Sequence, residues 1–388
     1  MRLFPALLLL LTATTSYAQW DLEDPPTTAD LRGVYNVGAG IVWASGTHGT
    51  VVRSEDGGYL WQACAIPPRA ENLDFRGIQA FDENTAIVMS SGKGDLSRLY
   101  KTTDGCHTWK LVFANPDKEG FWDGLQFSSY SEVRPNKTRF RLGALIGDSV
   151  NGKFPEFFTA DEGEHWRRGD DQTSASSKDG ESLFAASNSS LLYMGDGSKI
   201  FVTGGTSGSR SRILWENVKR DPHVSWKYVG GDIPFANGES AGAFSIATSF
   251  SPGAGKSWQA ENASRVIYFP SIATCVVVGG DYKKPSQTSG TSAFSTDGGQ
   301  HWKAAQTPPH GYRSAVAYDS DHKLWITVGP NGTDISTDDG KNWRALKPLK
   351  DQPADADQHW NALSLPFVVG PKGRIGKLNA NALAPPKN

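Results

Sequence analysis

Short apolar runs that end in glycine recur along the whole chain. They occupy residues 41–46, 142–147, 200–204, 276–279, 324–329 and 367–370. Runs this short, rich in Val and Ile and bounded by turn residues, predict β-strands rather than helices. From several of them a further short run leads into a polar turn, as at residues 50–53 and 99–101. The pattern therefore predicts an all-β fold of small repeated sheets.

Five of the polar turns share the pattern [ST]-x-D-x-x-x-x-W, which we call the box. The boxes are residues 54–61, 102–109, 159–166, 295–302 and 336–343, and in four of them Gly stands two residues after the Asp. A short carboxylate can accept hydrogen bonds from its own turn and glycine supplies a positive φ, so the box predicts a tight hairpin. The Trp is expected to pack between neighbouring repeats. The residues to which this structural role is assigned, in preference to a catalytic one, are Asp56, Trp61, Asp104, Trp109, Asp161, Trp166, Asp297, Trp302, Asp338 and Trp343.

The number of repeats follows from the spacing of the box tryptophans. The interval between Trp166 and Trp302 is too long for one repeat, and Trp226 indicates a repeat there that has lost its box. Three further apolar runs follow the last box. A ring of sheets must close, and residues 20–30 can supply a strand that completes the last sheet. The sequence thus predicts a seven-bladed β-propeller, with six blades as the alternative.

The ends of the chain predict export. Residues 1–18 contain one basic residue, a short apolar core and a small-residue site ending at Ala18, which is typical of a signal peptide. The mature chain is expected to be periplasmic or extracellular, with one propeller domain over residues 19–378. The last residues, 379–388, are expected to be disordered. No other stretch is apolar and long enough to predict a transmembrane segment.

Charge and cysteine content narrow the function classes. The chain has 39 basic and 41 acidic residues, a balance that argues against nucleic acid as the partner. Cys64 and Cys106 lie in or beside adjacent boxes, and for them both a disulfide and free thiols remain open; Cys275 is expected to be a buried thiol. The eight histidines show no metal-ligand spacing, so no metal or cofactor is predicted. A monomer is expected.

The innermost strand of each blade lines the channel, and these strands are predicted to begin at Leu31, Phe75, Trp122, Phe184, Phe244, Tyr312 and Trp360. The residue after each is the variable one. Arg32, Arg76 and Arg313 are therefore predicted to form a positive cluster at one end of the channel, suited to a carboxylate or phosphate. In the alternative interpretation, these arginines pair with Asp123, Glu181 or Asp281 and only stabilise contacts between blades.

The box S-x-D-G-G-x-x-W resembles the Asp-box, or bacterial neuraminidase (BNR), repeat. Over about residues 30 to 378, the Leu31-Arg32-Gly33-Val34 start, the first blade and residues 311–315 are similar to the photosystem II stability and assembly factor family and its non-photosynthetic bacterial relatives. The resemblance implies a seven-bladed, non-enzymatic propeller that binds a protein partner as a scaffold. It also implies a central arginine patch, for which Arg32, Arg76 and Arg313 are the matching positions.

A glycoside hydrolase of the sialidase-like Asp-box type is the alternative function, with a glycan as its ligand. Sialidases also hold a carboxylate with three arginines, and they use a Tyr nucleophile with a Glu, for which Tyr312 and Glu181 would be the candidates. A glycosidase with paired carboxylates would use Asp123 and Asp281. Residues 75–78 read Phe-Arg-Gly-Ile, which departs from the Phe-Arg-Ile-Pro-like start of sialidases.

Overall fold

The computed structural model describes residues 19–133, 139–170, 174–194, 198–214, 228–259, 266–348, 352–379 and 383. It is a seven-bladed β-propeller, as the sequence predicts. The described residues contain one short 3₁₀ helix, Gly94–Leu96, and no α-helix. No helix among the residues placed by the structure is long and apolar enough to traverse a membrane.

Each blade is an antiparallel sheet, and the N-terminal strand β1 (Trp20–Glu23) belongs to the last one. Blades 1 to 3 are β2 (Leu31–Gly38), β3 (Ile41–Gly46), β4 (Val51–Ser54), β5 (Gln62–Ala63); β6 (Phe75–Ala80), β7 (Ala86–Ser90), β8 (Arg98–Thr102), β9 (Lys110–Ala114); and β10 (Trp122–Val133), β11 (Arg139–Gly147), β12 (Glu156–Thr159), β13 (Arg167–Arg168).

Blades 4 to 7 follow in chain order, with two additional short strands, β14 (Glu181–Ser182) and β17 (Gly204–Gly205), on the inner edge of blade 5. The remaining strands are β15 (Leu191–Tyr193), β16 (Lys199–Val202), β18 (Ser209–Leu214), β19 (Asp232–Ile233); β20 (Gly238–Gln259), β21 (Val266–Asp281), β22 (Ser292–Ser295), β23 (Lys303–Ala304); β24 (Ala315–Asp319), β25 (Leu324–Gly329), β26 (Gly332–Ser336), β27 (Arg344–Leu346); and β28 (Ala362–Ser364), β29 (Phe367–Val369), β30 (Ile375–Leu378).

The ring closes in blade 7, where β1 pairs antiparallel with β30. The register runs from Trp20 opposite Leu378 to Glu23 opposite Ile375, so the chain start supplies the outer strand of the final blade. This is the closure predicted for residues 20–30. Of the tail 379–388, only Asn379 and Leu383 are described, and Leu383 is buried between blades 6 and 7. Residues 1–18 lie outside the described residues, so the signal peptide stays a prediction.

The first strand of every blade contacts the first strands of both neighbours, which places these strands around the axis. Blade 4 departs from the prediction, because its first strand is β15 and not the segment that begins at Phe184. Residues 183–190, here called the central segment, instead cross the channel. Ser187 donates a hydrogen bond to the carbonyl of Ser314 in blade 6 (2.7 Å), and Asn188 donates to the carbonyl of Leu125 in blade 3 (2.8 Å).

Each of the five boxes forms the hairpin between the third and fourth strands of its blade. In the first, Ser54 Oγ donates to Asp56 Oδ1, and the amides of Gly58 and Leu60 donate to Ser54 Oγ and Asp56 Oδ1 respectively. The equivalent contacts recur in all five, at 2.7 to 3.1 Å. In the second box, hydrogen bonds from the Thr108 hydroxyl and amide lower the pKa of Asp104 to about 2. The carboxylate thus organises the turn, as the pattern predicts.

Seven hydrophobic clusters of described residues fill the spaces between adjacent blades. The box Trp of each blade lies in the cluster shared with the preceding blade: Trp61, Trp109, Trp166, Trp302 and Trp343. Blade 7 has no box, and Trp20 and Trp360 fill its interface with blade 6. Trp226, the tryptophan predicted for blade 4, lies outside the described residues.

The interface between blades 3 and 4 contains a buried ion pair. Lys199 Nζ pairs with Glu156, and both side chains are less than one-tenth exposed. The Tyr228 hydroxyl donates to Glu156 (2.7 Å), and the Lys199 ammonium lies 4.1 Å from the centre of the Phe158 ring. Since removing one partner of such a pair leaves a buried charge uncompensated, this contact holds the two blades in one arrangement.

A disulfide joins Cys64, at the end of blade 1, to Cys106 in the second box. Cys106 has a positive φ of 65° and occupies the position held by Gly58, Gly163 and the equivalent glycines of the other boxes. The disulfide is therefore attached at the box position whose backbone has a positive φ. Cys275 is fully buried, and burial raises the pKa of its thiol to about 12.

Two glycines at different positions of the boxes, Gly57 directly after the Asp and Gly163 two residues after it, provide a test of hairpin packing. Gly57 and Gly163 have similar φ values, 81° and 84°. A Cβ at Gly163 would lie 2.3 Å from Ile87 Cδ1, whereas at Gly57 the nearest atom is Lys377 Nζ at 3.6 Å. We expect Gly57→Ala to lower the free energy of unfolding by about 1 kcal/mol through backbone strain, and Gly163→Ala by roughly 2 kcal/mol more because of overpacking. Urea unfolding measures both. Equal losses would contradict tight packing of the third box against blade 2.

Candidate binding site at the channel mouth

Two Asp-x-Arg sequences begin the first strands of blades 1 and 2. In Asp30-Leu31-Arg32 and Asp74-Phe75-Arg76, the middle residues Leu31 and Phe75 are fully buried. Arg32 and Arg76 are each the extra residue of a β-bulge, and each side chain approaches the Asp two residues before it. The two pairs therefore project together at the end of the channel where the first strands begin, which we call the mouth.

The two guanidinium groups share one carboxylate. Arg76 Nε donates to Asp74 Oδ2 at 2.8 Å, while Arg32 Nε is 3.8 Å from Asp74 Oδ1 and Arg32 Nη2 is 3.7 Å from Asp30. Among the described residues, Arg32 Nε has no hydrogen-bond acceptor. Both arginine side chains are close to one-third exposed, at 30% and 32%. The mouth thus presents two cations, one of which is only loosely paired.

Arg313 does not join them, which corrects the expected cluster of three arginines. Its side chain is 1% exposed and pairs with the fully buried Asp334 through Nε (2.8 Å) and Nη2. Arg313 Nη1 donates a hydrogen bond to the carbonyl of Tyr312 (2.9 Å). Because β24 begins only at Ala315, Arg313 precedes the strand and turns into blade 6. It stabilises that blade and is not available to a ligand.

The alternative pairing predicted for the arginines is also corrected. The partners are Asp74, Asp30 and Asp334, whereas Glu181 is buried and paired with Arg212. Asp281 accepts a hydrogen bond from Ser240 (2.7 Å), which is the main cause of its lowered pKa, and lies 3.5 Å from Lys284. No ion pair joins Asp123 to Arg76 among the described residues, although the charge of Arg76 acts to lower the pKa of Asp123.

Asp123 and Asp148 form a carboxyl pair beside Arg76. Asp123 is 1% exposed, and its Oδ2 has no hydrogen-bond partner among the described residues. Burial, and then the neighbouring Asp148, raise the pKa of Asp123 well above its usual value. Burial also raises the pKa of Asp148 to about 6. The pKa values of both carboxyl groups are therefore higher than that of an exposed aspartate.

The central segment links these groups. The Leu183 amide donates to Asp148 Oδ1 (2.8 Å), and the Ala185 backbone acts against the raised pKa of Asp123. The Ala185 carbonyl accepts from Arg76 Nη1 (3.1 Å). Arg76 is therefore held from two sides, by Asp74 and by the central segment.

Aromatic rings form the other side of the mouth. The Phe184 and Phe244 rings stack with centres 4.0 Å apart, and Tyr312 and Tyr282 meet Phe244 edge-on at 4.9 and 6.2 Å. Burial and Tyr282 raise the pKa of the Tyr312 phenol, while the charges of Arg76 and Arg32 act against this shift. Since Tyr312 belongs to blade 6 and the arginines to blades 1 and 2, these groups meet close to the axis.

Sequence reasoning missed Asp30, Asp74, Asp148 and Tyr282. The repeated Asp-x-Arg spacing could have identified the first two, because residues two apart share a strand face. Asp148 and Tyr282 directly follow second strands, and no local pattern marks them. Among the described residues, no group of three or more His, Cys, Asp or Glu side chains could hold a metal ion.

Comparison with known proteins adds information about the fold. A scan against protein-family models gives no match, and a search of curated proteins gives none either. The structure is similar to YCF48 bound to a D1 peptide, with a TM-score of 0.58 and 15% identity over 94% of this chain and 96% of that chain. YCF48 from Cyanidioschyzon merolae gives 0.51 and 17% over 94% and 99%. An ancestral GH74 enzyme gives 0.54 and 12% over 95% of this chain and 47% of the enzyme. At these identities the likeness concerns the fold alone.

The carboxyl pair predicts a pH-dependent stability. An unfolded Asp has a pKa of about 3.9, so between that pH and about 6 the folded protein retains a proton on Asp148 that the unfolded chain has lost. Stability should fall as pH rises through this window. Asp148→Asn keeps an acceptor for Leu183 and removes the penalty, so it should stabilise the protein by about 2 kcal/mol at pH 7.5 and hardly at all at pH 4.

Urea unfolding at the two pH values measures this difference. Asp321→Asn, in an exposed turn of blade 6, controls for the loss of one negative charge. A gain from Asp148→Asn that is equal at both pH values would contradict its origin in proton uptake.

Proposed function

We propose that this protein is an exported, non-enzymatic β-propeller that binds a protein partner through the mouth. Arg32 and Arg76 hold a carboxylate of an extended segment of that partner, and the propeller acts as an assembly scaffold. Guanidinium groups suit this task because their planar donors match the two oxygens of a carboxylate.

The observation that carries the proposal is the incomplete pairing of Arg32. Two guanidinium groups share Asp74, and Arg32 lies 3.7 to 3.8 Å from the carboxylates of Asp30 and Asp74, although its side chain is 30% exposed. Arg32 Nε itself is buried against Asp74, so a ligand carboxylate would bind the exposed part of the Arg32 guanidinium group and leave the 2.8 Å contact between Arg76 and Asp74 intact. The likeness to YCF48 bound to a D1 peptide supports a peptide as the kind of ligand.

Two further observations support the scaffold and its location. The sequence resemblance to photosystem II assembly factors and the structural likeness to YCF48, a protein of that kind, agree with each other. The Cys64–Cys106 disulfide supports an oxidising compartment, consistent with an N-terminal signal peptide. The partner itself is defined here only by its carboxylate.

A glycoside hydrolase is the second candidate, supported by the carboxyl pair. A carboxyl group whose pKa is about 6 suits a general acid, and Asp148 lies beside Asp123. The pair expected from the sequence, Asp123 with Asp281, is less suitable because the pKa of Asp281 is lowered. A Tyr312 nucleophile is disfavoured, since its pKa is raised, and Glu181 is committed to Arg212. The proposal therefore favours binding over hydrolysis.

Binding to a peptide library with carboxylate-bearing members tests the proposal. The double variant Arg32→Gln/Arg76→Gln should weaken binding at least tenfold, because each charged contact contributes about 1.5 kcal/mol or more. Its melting temperature should change little, since both side chains are partly exposed. Arg344→Gln, an exposed arginine on the outer strand of blade 6, is the matched control and should bind normally.

Two outcomes would contradict the proposal. Unchanged peptide binding by the double variant would show that Arg32 and Arg76 do not bind the partner. Turnover of fluorogenic glycosides that is lost in Asp148→Asn would favour the hydrolase instead.

A further inference from the structure

One large aromatic side chain is exposed at the mouth. Tyr282 directly follows β21 and is 47% exposed, although its ring meets the buried Phe244. Its amide donates to the Ser240 carbonyl (3.2 Å), which fixes the backbone at this point. The adjacent Lys283 and Lys284 are also exposed, and Lys284 lies 3.5 Å from Asp281, which precedes the ring.

Tyr282 is the outer member of a cluster of four aromatic rings. Phe244 is 3% exposed and lies between Tyr282, Tyr312 and Phe184, with which it makes edge-on and stacked contacts. Phe184 belongs to the central segment and is only partly buried. Tyr282 and Phe184 thus form the accessible apolar part of the mouth, which we call the aromatic shelf. A preorganised surface of this kind gains affinity because little side-chain freedom is lost on binding.

The shelf and the arginines are close to each other. Arg76 Nη1 donates to the carbonyl of Ala185 (3.1 Å), the residue after Phe184, and Arg32 shares Asp74 with Arg76. The Phe184 ring in turn stacks on Phe244 at 4.0 Å. A ligand group that approaches Arg32 therefore lies next to the shelf. An anion without an apolar neighbour would leave the exposed aromatic surface unused.

We infer that the mouth recognises two features of one peptide segment: a carboxylate, held by Arg32 and Arg76, and a neighbouring aromatic or leucine side chain, held by Tyr282 and Phe184. This inference rests on the proposed function and adds the partner's chemistry to it. The two guanidinium groups require an anion, and the adjoining rings favour an apolar side chain in contact with them. The carboxylate can belong to an Asp or Glu side chain or to a C-terminus.

Fluorescence anisotropy with four short labelled peptides tests the inference. The peptides end in Phe-Asp or Ala-Asp, each with a free or an amidated C-terminus. The wild-type protein should bind the Phe peptides about tenfold more tightly than the Ala peptides. Tyr282→Ala should reduce this preference to less than threefold without weakening the Ala peptides. Arg32→Gln/Arg76→Gln should weaken Phe and Ala peptides by the same factor.

Tyr59→Ala is the matched control, because Tyr59 is 79% exposed on the first box hairpin. This variant should keep the full preference for Phe. Weaker binding after amidation would assign the carboxylate to the C-terminus, and unchanged binding would assign it to the Asp side chain. Either result supports the shared chemistry.

The outcomes separate this inference from the proposed function. The role assigned to the aromatic shelf is wrong if binding depends on the arginines but shows no preference for Phe, or if the preference survives in Tyr282→Ala. Either result leaves the proposed function intact. Failure of all four peptides to bind overturns both. Binding of sialyllactose that depends on Tyr282, without peptide binding, would show that the shelf serves an acidic sugar and would also overturn the inference.

Discussion

The pairing of β1 with β30 is the contact on which the rest of the molecule depends. It brings the two ends of the described chain into one sheet and closes the ring. Trp20 strengthens this closure, since its ring meets Trp360 at 5.9 Å and its indole N–H donates to Thr333 Oγ1 (3.0 Å). Blades 6 and 7 are thereby held together by a residue from the start of the chain.

The closure also reaches the mouth. The Leu31 amide donates to the Gly370 carbonyl (3.0 Å), and the Leu31 carbonyl accepts from the Asn361 side chain (2.8 Å). The Lys372 amide donates to Asp30 (3.0 Å). The strand start that carries Arg32 is therefore bonded to blade 7 on several sides. A site assembled from blades 1, 2, 5 and 6 keeps its geometry only while the ring is closed.

The fold was largely predictable because its determinants are local and repeated. Each box holds its hydroxyl, carboxylate and tryptophan within eight residues, so the sequence predicts both the hairpin and the Trp that packs between blades. The site was predictable only in part. Arg32 and Arg76 lie at the strand starts that the repeats predict, but the pairing of Arg313 with Asp334 depends on where β24 begins and on a strand that comes later in the chain.

The position of the central segment also could not be predicted from local sequence. Its apolar residues resemble a strand start, yet its hydrogen bonds go to Leu125 and Ser314 in other blades. The interfaces without a described box Trp are equally informative. Blade 7 uses Trp20, which is distant in sequence, and blades 3 and 4 use the Lys199–Glu156 pair. Both contacts join residues that are distant in sequence, so no local motif predicts them.

Hydrogen–deuterium exchange of a chain that begins at residue 24, compared with one that begins at residue 19, tests the role of closure most directly. If β1 holds the ring and the mouth together, protection should be lost in β28–β30 and also at residues 31 and 372. Extra exchange confined to residues 375–378, with the mouth still protected, would show that the site does not depend on closure.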